Sequence, residues 1–257
     1  SNMANLRTNN LSGEQGQNAY RGSVFFDGRD DVTVLQVIAA DGNDDFTFGT
    51  GDFTIEMWIN HGATRSFELL YDGRRDSSSD VAPMIYLVDG VVYYYTAAAN
   101  RITGSSTLTH DSWHHIAVAR QSGSTKLYVN GVQEGSTYSD SNSYVAKLNR
   151  PVIGGEGPNF ANNPFGGHLS NLRVVKGTAL YTADFTPPTE ELTIVDGTAI
   201  LCCQDSDDPT QEATGKTITG FGNLATAGYL KTQPKVIPPY GVCLLYTSPS
   251  PRDQRGS

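Results

Sequence analysis

Two dipeptides constrain this chain more than any other feature. Asp89-Gly90 lies inside IYLVDGVVYYYT, and Asn130-Gly131 inside TKLYVNGVQEGS. Each interrupts an alternating apolar run with a residue pair that accepts two successive positive-φ conformations, the requirement of a two-residue hairpin turn. Further short runs recur at close spacing around them: SVFFDG, DFTIEMWIN, SFELLYDG, WHHIAVAR, RPVIGG, LSNLRVV and TAILCCQ. In DFTIEMWIN, Phe53, Ile55, Met57 and Ile59 alternate with Thr54, Glu56, Trp58 and Asn60. That period of two belongs to a strand with one face on a core. No helical stretch exceeds one or two turns, and no internal repeat or dividing linker breaks the pattern. Many short strands must pair into sheets, and the sheets must bury their apolar faces against each other. The expectation is an all-β fold, a two-sheet antiparallel sandwich forming one domain over residues 23–242.

Composition narrows the function classes. Gly at 27 and Tyr at 13 of 257 residues suit turns and strands, not a helical bundle or a disordered tail. The net charge of −9, with no concentration of Lys or Arg, argues against nucleic acid, whose affinity comes from cations that displace counterions. No run of about 20 apolar residues predicts a membrane-spanning helix.

The two ends read differently from the middle. Ser1 and Asn2 ahead of Met3 resemble a vector remnant, and residues 1–22 read as that scar followed by an N-terminal arm or edge strand. No basic-then-apolar leader pattern is visible, although an upstream segment of the natural protein is compatible with such a scar. The last fifteen residues, CLLYTSPSPRDQRGS from Cys243 to Ser257, form a polar, Pro-rich run without a turn partner. They back-translate to a transposon-type sequencing adapter and its flank. We expect residues 243–257 to be adapter read-through without function, in a gene assembled from environmental reads. Cys202 and Cys203 are adjacent, expected on opposite faces of a strand, and therefore unpaired, one of them buried.

The motif order DFTIEMWI, WHHIAVAR, LYVNGV and PFGGHLSNLRVVKGTALYTADFTPP resembles the laminin-G-like, concanavalin A-like lectin/glucanase jelly-roll family over roughly residues 20–205. It looks closest to the branch found in structural proteins of marine bacteriophages. The resemblance implies a jelly-roll sandwich with one concave sheet and with N- and C-terminal strands paired. It also implies one of three roles: calcium-dependent lectin, adhesion module or glycosidase. Fold alone does not choose among them.

The residues discriminate further. Glycosidases need two carboxylates facing one cleft, and the similar hydrolases carry a Glu-x-Asp-x-x-Glu pattern that is absent here. Glu56 stands alone in its strand, and the neighbours Glu190 and Glu191 diverge. An enzyme is not expected. His114 and His115 diverge as strand neighbours and are read as structural; in similar sandwiches one His of WHH packs and hydrogen-bonds inside. His61, His110 and His168 are read as isolated. Asp41, Asn43, Asp45 and Asp52 fall at calcium-loop offsets, but Phe46 occupies the glycine position, so this match is read as coincidence. Similar jelly rolls often carry Asp-Glu where this chain has Ser170-Asn171, and the Asp there can help hold structural calcium. With Ser in its place, Asp27 in the FFDG turn is the remaining calcium candidate.

Sugar binding points to two places. Sugars stack their apolar faces on aromatic rings and give their hydroxyls to Asn, Asp and Gln. In the Asp89-Gly90 hairpin, Ile85, Leu87, Val92 and Tyr94 form the more aliphatic face, assigned to the core. Met84, Tyr86, Val88, Val91, Tyr93 and Tyr95 then share the other face, where Tyr86, Tyr93 and Tyr95 are candidate ligand contacts. The loop from Gly155 to Gly166 offers Asn159, Phe160, Asn162, Asn163 and Phe165. Residues 177–188, with Ala179, Leu180, Tyr181 and Phe185, read as a short lid over the sandwich edge. The expected role is a non-catalytic module of a phage particle (tail fibre, appendage or capsid decoration), located on the virion and contacting host glycan or a virion protein. A homo-oligomer is compatible with that role. The alternatives are a purely structural assembly domain and a secreted bacterial lectin or glycosidase-like fragment.

Overall fold

The computed structural model describes residues 22–29, 33–62, 65–75, 77–156, 162–205 and 207–222. The arm and scar before Gly22, the adapter-like tail, Asn159 and Phe160 lie outside the described residues. The rest is strands, turns and one 3-10 turn at Asp44–Phe46, capped by Asn43.

Fourteen described strands form two sheets. The first contains β1 (Val24–Asp27), β12 (Gly166–Lys176), β3 (Phe53–His61), β8 (His114–Gln121), β9 (Ser124–Val129) and β10 (Val132–Ser139), in that spatial order. Strand β13 (Thr198–Cys202) joins β12 along its second half, beyond the part paired with β1. The second sheet runs β14 (Ile218–Phe221), β2 (Val34–Val37), β11 (Val152–Ile153), β4 (Glu68–Asp72), β5 (Met84–Val88), β6 (Val91–Thr96) and β7 (Ala99–Thr103). Every pairing is antiparallel. The pairing of β14 with β2 joins early and late segments, as the family resemblance implied.

Alternation places the core. Phe53, Ile55, Met57 and Ile59 of β3, Ile116 and Val118 of β8, and Leu169, Leu172 and Val174 of β12 point inward from the first sheet. They meet Leu35, Leu70, Ile85, Leu87, Val92 and Tyr94 of the second. The turn residues fulfil their role: Asp89 and Gly90 have φ of 47° and 78°, and Asn130 and Gly131 have 50° and 82°. Hence Val88 pairs with Val91 and Tyr86 with Tyr93, and the hairpin divides into the two faces read from its alternation.

Two expectations are corrected. Cys202 and Cys203 do not diverge. Cys203 follows the end of β13 at φ 62°, which turns its thiol inward; both are buried and free, with sulfurs 3.7 Å apart. The lid does not cover an edge. It lies across the outer face of the first sheet, where Ala179, Tyr181 and Phe185 pack on Ala117, Ala119 and Tyr128.

Candidate functional site

The outer face of the second sheet carries two cross-strand rows. Asp72, Met84, Tyr95 and Asn100 face one another across β4, β5, β6 and β7; Leu69, Tyr86, Tyr93 and Thr103 form the second row. A register irregularity between Leu69 and Tyr71 in β4 makes this possible, because it puts Leu69 outside while Leu70 and Tyr71 both join the core. The result is an apolar cluster of Leu69, Met84 and Tyr86, flanked by half-buried Phe67, Val88, Tyr93 and Tyr95.

The three tyrosines are not equivalent. Tyr86 is only 4% exposed. Phe67 stacks on it from the β4 side at 4.4 Å and 17°, and Tyr93 from the β6 side at 5.1 Å and 9°. Its hydroxyl donates to Asn100 Oδ1, and burial pushes its pKa up to about 12. With no open ring face, Tyr86 supports its neighbours and does not serve as a stacking surface, which corrects its place among the candidate contacts. Tyr93 and Tyr95 keep partial exposure. Tyr95 is fixed by its hydroxyl bond to the Ser78 carbonyl at 2.9 Å and by the Arg74 guanidinium, 5.6 Å from its ring centroid.

Arg74 connects this face to the second candidate. It grips Asp72 with two parallel bonds, Nε to Oδ1 at 2.9 Å and Nη2 to Oδ2 at 2.8 Å, and Nη2 also reaches Glu156 Oε1 at 3.4 Å. The other Glu156 oxygen accepts from Asn163 Nδ2 at 3.2 Å, and the Asn163 carbonyl accepts from Leu69 N at 3.0 Å. Through Arg74 and Glu156, 82 residues apart in the chain, the hairpin and the loop therefore meet on one surface. Phe165 is excluded from it, being fully buried in the core. Asn162 is exposed in the same loop.

A second polar constellation, under the lid, was not visible in the sequence. Glu56, fully buried on the outer face of β3, accepts from Arg173 Nε at 2.9 Å and Nη2 at 2.6 Å, from Tyr181 Oη at 2.7 Å, and pairs with His115 Nε2 at 3.1 Å. Burial pushes the Glu56 carboxyl up, but the His115 bond, Arg173 and Tyr181 together hold it below its ordinary value. His115 is thus the buried, bonded histidine of the WHH motif, though it lies outside the sandwich core. A cleft of about 280 Å³ opens beside this region, between Gln121, Ser122, Ser124, Lys126, Tyr181 and Thr182. Its one aromatic, Tyr181, has its hydroxyl committed to Glu56.

The donors around the calcium candidate are already engaged. Asp27 Oδ1 accepts from Thr33 Oγ1 at 2.8 Å and Arg29 N at 3.1 Å, and its other oxygen faces the Arg29 guanidinium at 3.9 Å. Ser170 donates to the Gly22 carbonyl and accepts from Asn171, which sits at φ 51° in a bulge of β12 and accepts from Leu192 N and Gln204 Nε2. A hard cation needs several converging oxygens, and the described residues around Asp27 present a guanidinium instead. Asp41, Asp44 and Asp45 are engaged by Arg75, Lys176 and Lys216. No group of three or more His, Cys, Asp or Glu able to hold a metal occurs among the described residues. The histidines are less scattered than expected: His61 and His110 rings lie 4.5 Å apart, and His61 Nδ1 is 3.7 Å from buried Glu68.

Residues 36–183 match the family model described as the concanavalin A-like lectin/glucanases superfamily, laminin G type. The chain belongs to this superfamily. No curated protein of similar sequence matches this lectin/glucanase-type chain. Among solved structures, it is similar to a Bacteroides ovatus ATCC 8483 protein described as a candidate carbohydrate binding protein. There the TM-score is 0.60 at 18% identity, with 79% of this chain and 59% of that one covered. It is also similar to the heptameric SAP-like pentraxin of Limulus polyphemus, with a TM-score of 0.54, 14% identity, and 81% and 98% coverage. This chain spans about three-fifths of the length of the Bacteroides protein it matches. No helix among the described residues is long and apolar enough to cross a membrane.

Proposed function

We propose that this chain is a non-catalytic carbohydrate-binding module and that it holds glycan on the outer face of its second sheet. The observation that carries this reading is the convergence of Tyr93 and Tyr95 with the Gly155–Gly166 loop through the Arg74–Glu156 link. Such a face offers rings for a sugar's apolar side and a rim of exposed Ser78, Asn100, Thr103 and Asn162 for its hydroxyls. The description of the Bacteroides protein as a candidate carbohydrate binding protein supports it. The two carboxylates linked to Tyr95 through Arg74, Asp72 and Glu156, both contact its guanidinium, a poor arrangement for a nucleophile and acid pair and so a reason to favour binding over hydrolysis. The resemblance of the motif order to marine phage structural proteins supports a place on a virion, with host surface glycan as the ligand.

The test is a glycan array with the purified chain, followed by affinity measurement for Tyr93→Ala and Tyr95→Ala. A ring stack contributes about 0.5–1.5 kcal/mol, so each change is expected to weaken binding roughly 2- to 13-fold. Undiminished binding by the double variant would refute the site. Silence on the array together with self-association would assign the face to a protein partner of the particle. Adding a chelator is expected to leave both binding and the thermal midpoint unchanged, because the described donors near Asp27 do not fit calcium.

A further inference from the structure

The tyrosine face has an electrostatic character that selects among glycans. We infer that its ligand is an uncharged glycan and that it rejects anionic ones, whether the charge is carried by a uronate, a sialate or a sulfate. This inference rests on the carbohydrate-binding reading and deepens it.

The argument starts from where the cations are. The first lysine of the chain is Lys126, so residues 66–108, which build β4 to β7 and their turns, contain only Arg74, Arg75 and Arg101 as cations. The same segment carries Glu68, Asp72, Asp76, Asp80 and Asp89. Arg74 is the cation that lies over a face ring, and it is 5% exposed. Its guanidinium is held by Asp72 in a bidentate pair and contacts Glu156 as well. One positive charge therefore stands against two carboxylates, and the Glu156 side chain keeps 21% of its surface open. A bidentate pair of this kind already uses the geometry by which arginine would recognise a ligand carboxylate or sulfate.

The other cations are directed elsewhere. Arg75 Nη1 binds Asp41 at 3.0 Å. Arg101 donates to the Thr96 and Ala97 carbonyls and lies over the Tyr138 ring at 5.2 Å. Arg150 donates to the carbonyls of Arg74 and Asn149. Arg65 lies against Gly28, at the end of β1 in the other sheet. An anionic sugar arriving at Tyr93 and Tyr95 would meet the Arg74 group with its excess of carboxylate, while Arg75, whose side chain is 36% open, is already paired with Asp41. It would also approach a molecule of net charge −9, whose field opposes it beyond contact range. Hydroxyls and amides, by contrast, find neutral partners in Ser78, Asn100 and Thr103, all exposed around the rings.

The experiment compares matched oligosaccharides that share one backbone, with and without uronate or sulfate, binding to the full chain by calorimetry at low and physiological salt. The neutral member is expected to bind at least about tenfold more tightly, since like charge across a contact is costly, and its affinity to be insensitive to salt. Glu156→Gln is expected to narrow that gap by raising affinity for the anionic member. Equal or tighter binding of the anionic member would overturn the inference while leaving the carbohydrate reading standing. Absence of binding to every member of both series would take down the carbohydrate reading, and the inference with it.

Discussion

Glu56 shows what a single residue does in this fold. It lies in DFTIEMWI, a strand whose inward side chains are all apolar, and its own outward position would ordinarily face water. Instead it is fully buried and satisfied by Arg173, His115 and Tyr181. Removing one partner of such a cluster leaves the others buried without compensation, so Glu56→Ala is expected to lower unfolding free energy by about 3–5 kcal/mol. Urea titration at neutral pH checks this, and a midpoint within error of the parent would refute it. Glu56→Gln is expected to be milder, because an amide oxygen can still accept from Arg173. Nothing in the sequence announced this cluster. Arg173 lies 117 residues away, and its meeting with Glu56 depends on a bulge at Asn171 that shifts the register of β12 against β3. A bulge leaves no periodic trace when the residue filling it is one that also suits an ordinary turn.

At the scale of elements, legibility follows chemistry. The Asp89-Gly90 hairpin could be read in full, because its turn fixes its register and a fixed register fixes which side chains share a face. Hence the core side of Ile85, Leu87, Val92 and Tyr94 and the outer side of Tyr86, Tyr93 and Tyr95 were both recoverable. Which outer rings stay accessible was not, because Phe67 reaches Tyr86 only through the irregularity in β4. The lid was recognisable as a lid but not placeable. Its position is set by Gly131: Phe185 N donates to the Gly131 carbonyl at 2.8 Å, and a Cβ on Gly131 would stand 1.9 Å from Phe185 O. Gly131 also sits at φ 82°, a region costing a side-chain-bearing residue about 1–3 kcal/mol. Gly131→Ala should therefore both strain the hairpin and lift the lid. Amide hydrogen exchange is expected to show protection lost at Phe185, with the β5–β6 hairpin unaffected. Retained protection at Phe185 would mean that the lid is held independently of this approach.

For the whole molecule, the buried ionisable groups set stability limits on both sides of neutrality. On the acid side, His168 is half-buried, paired with Ser23 Oγ at 3.0 Å, and burial lowers its pKa to about 4 from 6.5. Between those values the unfolded chain binds a proton that the folded chain refuses, so stability falls as pH drops through that window. Glu56, held below 4.5, acts in the same sense further down. Its contribution is complete above its unfolded value and is lost as pH falls through the folded one. On the alkaline side, burial raises the phenols of Tyr71, Tyr94, Tyr144 and Tyr181 above 10.0. Tyr94 and Tyr144 share a hydroxyl bond at 2.8 Å, and Tyr144 also donates to Asp140 at 2.7 Å. These groups stay neutral in the fold and ionise in the unfolded chain, so the stability they contribute is present below pH 10 and lost as pH rises above it. Thermal midpoints are therefore expected to plateau between about pH 7 and 9 and to fall on both sides. Replacing His168 with Gln should flatten the slope between pH 6.5 and 4 while leaving the alkaline limb intact. Above pH 10, tyrosinate absorbance from the buried rings should appear in the same cooperative step as loss of the far-ultraviolet signal. Tyrosinate from all thirteen tyrosines in a chain that keeps its sheet signal would show that the core phenols ionise without unfolding, against the burial that links them.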